Sequence, residues 1–209
     1  MLALLPIDAE TPRSLVLNPS LTDAEFEALS LASDWFRFER TREGEILMHP
    51  PAGGLTSGGN AEIAGQLHSW WKTHRRGRVF DSSAAFFLPD SSVLNPDASY
   101  VLSAKLKGLT KDDLTGFPRL CPDFVIELLS KSDSLIKAKE KMERWVENGA
   151  TLAWLIDPYK RKVYVYEPGC KASSVSGKAI LGKGPVEIGG DRESAGAEAE
   201  GARFGVDLR

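Results

Sequence analysis

DFVIELLSKSDSLIKAKEKMERWVENGATLAWLI, residues Asp123 to Ile156, is the stretch on which the fold turns. Its opening, DFVIELL, is nearly continuous apolar sequence broken by one acid, the pattern of a central strand covered on both faces. Leu135, Ala138, Met142, Trp145 and Val146 then recur at helical spacing and predict a helix from about Asp133 to Asn148, stopped by Gly149. TLAWLI, residues Thr151 to Ile156, is a second buried strand, closed by Asp157-Pro158. KVYVYE, Lys162 to Glu167, pairs back on it across a turn at Tyr159–Arg161. Strand, helix and strand with an appended hairpin make an α/β (α+β) core: a mixed β-sheet flanked by helices.

Upstream, Thr22-Asp-Ala-Glu25 is a capping box and opens a short helix with Phe26, Leu29 and Leu31 inward. WFRFER, Trp35 to Arg40, alternates like a half-buried strand, and Glu45–Met48 answers it across Glu43-Gly44. Pro50-Pro51 and the glycines of 53–59 end that hairpin. A helix follows from about Asn60 to His74, with Ile63, Ala64, Leu67, Trp70 and Trp71 on one face. Strand-like pieces stand at Arg78–Asp81, Ala85–Leu88 and Asp97–Leu102. The expected organisation is an extended leader over 1–20 and one domain over 21–168. A partly mobile segment over 169–209 follows, with 189–202 its loosest part and a last strand at 204–208.

The bulk numbers exclude more than they select. With 209 residues, 42% of them apolar, the chain can bury a full core. Its 26 basic and 29 acidic residues nearly cancel, so no overall basic charge advertises a polyanion, and only a local basic strip is available for one. Cys121 and Cys170 lack CxxC or His/Cys company, which reads as reduced cysteine in a cytoplasmic protein. Met1–Ile7 lacks a basic n-region, and no run reaches the ~18 apolar residues of a membrane span. The histidines show no ligand spacing, no serine or cysteine has triad company, and the 53–59 glycines lack a P-loop ending.

Two acids stand inside strand patterns where a lone carboxylate costs several kcal/mol: Asp97 and Glu127. Such acids are paired, exposed at a strand end, or bound to a metal. Two of them on neighbouring strands would suit a hard divalent cation, Mg²⁺ or Mn²⁺, which takes oxygen ligands and keeps several waters. A lysine nearby would stabilise the charge that develops on a phosphate. No lysine stands at Glu-x-Lys spacing; Lys139 and Lys141 both flank the apolar stripe of the following helix, and periodicity does not choose between them. Glu62, in the expected first turn of its helix, is either a dipole-favouring acid or a further ligand. A salt bridge from Glu127 to Lys141 or Arg144 is the competing structural reading.

At these residues the chain resembles a known family. Pro122–Pro158, together with Gly58-Gly59-Asn60-Ala61-Glu62-Ile63, Val79-Phe80-Asp81-Ser82-Ser83, Leu88-Pro89 and Asn95-Pro96-Asp97-Ala98-Ser99, resembles the Uma-type (Uma-two) restriction-endonuclease-like family over roughly 20–168. The resemblance implies a PD-(D/E)XK nuclease fold, metal-binding Asp97 and Glu127, Lys141 in the helix position of the catalytic lysine, and Glu62 assisting. Lys131 departs from the proline usual in that turn. It further implies a DNA substrate and a homodimer, since two sites suit two strands.

The dense basic cluster Lys72, His74, Arg75, Arg76 and Arg78 reads first as a solvated helix end and second as a phosphate-backbone contact, with Lys139 a further candidate. Two other classes compete with the enzyme: a non-cleaving nucleic-acid-binding module of the same fold, and a structural dimerisation protein using its exposed aromatics.

Overall fold

A computed structural model describes residues 15–17, 21–74, 76–177, 179–183 and 203–207. In chain order the elements are β1 (Leu15–Leu17), α1 (Asp23–Leu31), β2 (Arg37–Arg40), β3 (Ile46–His49), α2 (Gly54–His74), β4 (Arg78–Asp81), β5 (Phe86–Phe87), β6 (Val93–Leu94), β7 (Ala98–Val101) and α3 (Ser103–Leu106). After a short 3-10 turn come β8 (Phe124–Leu128), α4 (Leu135–Glu147), β9 (Leu152–Asp157), β10 (Lys162–Tyr166), β11 (Ser173–Ser176), β12 (Ala179–Lys183) and β13 (Arg203–Asp207).

The main sheet runs β11-β10-β9-β8-β7-β4. Only β8 and β9 are parallel, because α4 carries the chain back between them; the other neighbours pair antiparallel. Side chains alternate across it. Ala98, Tyr100, Phe124, Ile126, Leu152, Trp154 and Ile156 join Ile63 and Leu67 of α2 on one face. Val101, Val125, Ala153 and Leu155 join Met142 and Trp145 of α4 on the other. Truncating a side chain as deep as Trp154 in such a core costs about 3–5 kcal/mol.

A second sheet, β1-β3-β2-β6-β5, lies over a smaller core of Phe26, Phe38, Ile46, Ala85, Phe87 and Val93. The Thr22 hydroxyl accepts from Glu25 N, and the Glu25 carboxylate accepts from Thr22 N, completing the capping box at α1. Asp23 ties that helix down, accepting from Arg40 at 2.5 Å and Arg119 at 2.6 Å.

The structure corrects several expectations. α2 starts at Gly54, inside the glycine run read as a hairpin end, so Glu62 is well past the first turn and gains nothing from the helix terminus. Leu31 is 61% exposed and Leu29 lies at the surface, because the short α1 buries Phe26 alone. Trp35 precedes β2 and is 74% exposed. The main sheet continues past residue 168 through β11, while β13 pairs with β12 in a separate ribbon. Most of the 1–20 leader, and 189–202, lie outside the described residues. No helix among the described residues is long and apolar enough to cross a membrane.

Candidate functional site

Three strands and one helix converge on a row of acids. β7 pairs with β8 as Ala98↔Ile126 and Ser99↔Val125, and that register, continued, sets Asp97 against Glu127. The Asp97 carboxylate accepts the Leu128 backbone N–H at 2.8 Å and the Asn60 side-chain amide at 2.7 Å, the latter reaching in from α2. Glu127 lies on the α4 face of β8, where the Trp145 indole N–H donates to its Oε1 at 2.9 Å.

Lys141, on α4, closes the group. Its Nζ lies 2.9 Å from Glu127 Oε1, 2.7 Å from Glu39 Oε1 and 2.9 Å from the Asn95 carbonyl oxygen. Glu39, on β2, also accepts the Asn95 N–H at 2.9 Å and has His49 Nε2 at 3.4 Å from its other oxygen. The second sheet therefore presses a carboxylate onto the amine from the side opposite the main sheet.

Electrostatics follow from this crowding. Burial raises the Glu127 carboxyl to about 7; Lys141 opposes the rise, while Asp97 and Glu39 add to it by repulsion. Burial likewise raises Asp97, against its backbone bond to Leu128 and the Lys141 charge. Burial works against ionised Glu39 too, but Lys141 and His49 outweigh it and hold that carboxyl far below its ordinary range. Lys141 is desolvated as well, yet Glu127 and Glu39 overcome this and keep it firmly protonated. Three carboxylates thus crowd one buried ammonium, with His49 beside Glu39 and the Arg37 charge acting on Asp97.

The donor set is oxygen throughout: the Asp97 and Glu127 carboxylates, with the buried Asn60 amide beside Asp97 leaving its Oδ1 without a hydrogen-bond partner. Such donors fit a hard cation such as Mg²⁺ or Mn²⁺ and not a thiophilic one. Among the described residues no group of three or more His, Cys, Asp or Glu side chains is arranged to hold a metal. Any ion held here would rest on two carboxylates and water.

Of the residues singled out from the sequence, Asp97, Glu127 and Lys141 come together. Glu62 does not join them: it is exposed and accepts from Gln66 one turn along α2. Lys139, the other helix candidate, stands with its Nζ 4.6 Å from the Tyr164 ring centroid. Lys72 and Arg76 are exposed at the far end of α2, and Arg75 lies outside the described residues.

Glu39, Asn60 and Arg37 were missed. Glu39 and Arg37 read as the solvent face of an alternating strand, and only the packing of two sheets buries Glu39. Asn60 looked like the start of a helix that begins a turn and a half earlier.

The comparisons agree with this architecture. A crystal structure described as "a putative nuclease belonging to DUF820", from Anabaena variabilis ATCC 29413, superposes with a TM-score of 0.60 at 23% identity, over 69% of this chain and 79% of that one. The fold is accordingly restriction-endonuclease-like. No curated protein matches. Residues 23–184 match the Uma2 family, described as "Putative restriction endonuclease", and the chain belongs to that family.

Proposed function

We propose that this protein is a divalent-metal-dependent endonuclease hydrolysing phosphodiester bonds in DNA, with its site at Asp97, Glu127 and Lys141. The observation that carries the reading is the crowding of buried acids: Asp97 faces Glu127, Glu39 lies on the same amine, and Glu127 is left with a carboxyl near neutrality. A purely structural ion pair needs one acid for one base, and crowding further buried acids around it is a costly way to build a core. Membership of a family described as "Putative restriction endonuclease" points the same way.

Asp97 and Glu127 would hold Mg²⁺ or Mn²⁺, which when bound polarises a phosphate and acidifies water. Asn60 and the Leu128 N–H keep Asp97 in one rotamer, while Trp145 and Lys141 do so for Glu127. Lys141 has three N–H donors and three acceptors, so touching a phosphate oxygen requires it to release one. The neutral Asn95 carbonyl is the cheapest to give up, since the bonds to charged acceptors are the stronger. A homodimer would offer one such site to each strand of a duplex.

Plasmid cleavage by the purified protein in Mg²⁺ or Mn²⁺, against chelator, tests this. Asp97→Asn and Lys141→Ala should each lose divalent-dependent cleavage. Undiminished cutting by both variants would overturn the assignment. The saturation of Lys141 favours a second reading, a non-cleaving nucleic-acid-binding module. That module would bind DNA with salt-dependent affinity, need no divalent ion and yield no product.

A further inference from the structure

An open cleft of about 410 Å³ adjoins the acids and shares Asn60 with them. It is lined by Arg37 of β2, by Ser57, Asn60 and Ala64 of α2, and by Ser82 and Ser83 just after β4. The β4–β7 register, Asp81↔Ala98, continues to set Ser82 beside Asp97, so Ser82, Asp97 and Glu127 form one row across three strands. Arg37 shares a strand face with Glu39, two residues on. The cleft therefore opens onto the Asp97 end of the cluster.

Its chemistry suits an anion. Arg37 spends one N–H on the Ser82 carbonyl at 2.9 Å, and its remaining guanidinium donors have no protein partner among the described residues. Its charge also acts on Asp97, lowering that carboxyl against the rise from burial. Asn60, only 6% exposed, lines the cleft and joins it to the acids by donating its side-chain amide to Asp97 at 2.7 Å. Asp81, the acid on the rim, is engaged by the Ser83 N–H at 2.9 Å and the Ser83 hydroxyl at 2.5 Å. We infer that this cleft is the subsite for a substrate phosphodiester and that Arg37 grips the phosphate there, an assignment resting on the nuclease reading. Arginine suits the task because its planar fork meets two phosphate oxygens at once. The basic end of α2, the place the sequence suggested, lies away from the acids.

The test uses a short fluorescein-labelled DNA duplex, in Ca²⁺ to suppress turnover, over a series of salt concentrations. Arg37→Gln drops the charge and, being shorter, also gives up the bond to the Ser82 carbonyl, so melting curves of each variant accompany the titrations as a check on the fold. It should weaken binding about tenfold and reduce the salt slope by about 1, with Arg37→Lys in between. In Mg²⁺, cleavage by Arg37→Gln should show a raised KM at high salt. Unchanged affinity and slope in Arg37→Gln, with the loss appearing instead in Lys72→Ala or Arg76→Ala, overturns the cleft assignment and leaves the nuclease reading standing. Arg37-dependent binding without cleavage by the wild type removes the nuclease reading and keeps the cleft. Failure of the wild type to bind the duplex removes both.

Discussion

Lys141 Nζ stands 2.9 Å from Glu127 Oε1 and 2.7 Å from Glu39 Oε1, one amine from a helix pinned between acids of two different sheets. Its side chain is only 22% exposed. Such an amine stabilises the fold chiefly by sparing its partners from being charged alone. Lys141→Met should therefore destabilise the protein by about 3–5 kcal/mol at pH 8. At pH 5 the loss should shrink, since the stranded acids then neutralise themselves by taking up protons. Urea denaturation at the two pH values checks this, and an equal loss at both would contradict it.

Stability without metal should fall as pH rises toward and through neutrality. Glu127 has a folded value of about 7, above its ordinary 4.5, so the folded protein keeps a proton that the unfolded chain gives up. The stabilisation is fully present below 4.5 and is lost as pH climbs through about 7. Asp97, also raised, acts in the same sense. Glu39, lowered, acts oppositely: its contribution is present above 4.5 and is lost as acid is added. Melting temperatures in chelator from pH 4 to 8.5 should pass through a maximum on the acid side of neutrality. Glu127→Gln should flatten the fall on the alkaline side of that maximum; a fall of unchanged steepness would refute the attribution.

Metal binding should read out the same carboxyl. Mg²⁺ or Mn²⁺ must displace the proton from Glu127, so either ion should raise the melting temperature more at pH 8 than at pH 6. Asp97→Asn should abolish the increment. An increment independent of pH would place the ion elsewhere.

The Trp145 indole N–H holds Glu127, and its ring packs edge-on against Phe86 with centroids 6.5 Å apart. Trp145→Phe removes the donor and trims the ring, so the variant alone mixes two effects. Combined with Glu127→Ala in a double-mutant cycle, the hydrogen-bond part should emerge as about 1–3 kcal/mol of coupling. A coupling near zero would mean that the indole only fills space.

Two left-handed glycines separate backbone strain from crowding. Gly44, at φ +88°, has open space where a Cβ would go, and Gly44→Ala should cost about 1 kcal/mol. At Gly77, φ +71°, a Cβ would run into the Val101 carbonyl oxygen and come within 2.8 Å of the Tyr100 ring. Gly77→Ala should cost well over twice as much by thermal denaturation, and comparable losses would argue that crowding is relieved by a small shift.

What the sequence determined by itself was whatever local periodicity and capping enforce. Buried β8 and β9, the amphipathic α4 ending at Gly149, the Thr22 cap and the β2–β3 hairpin all follow from residues close together in the chain. The acids Asp97 and Glu127 were visible because a carboxylate inside an apolar strand is conspicuous in one dimension. The choice of Lys141 over Lys139 was not visible in the periodicity, since both flank the same stripe, and only the position of β10 turns Lys139 onto Tyr164. Glu39, Asn60 and Arg37 were hidden for a related reason. Polarity on an exposed-looking strand face or in a glycine run carries no mark of burial, and burial came only when the second sheet and α2 closed over the row of acids. Strand and helix are set by neighbours in sequence; a charged cluster is set by distances between segments, which packing alone decides.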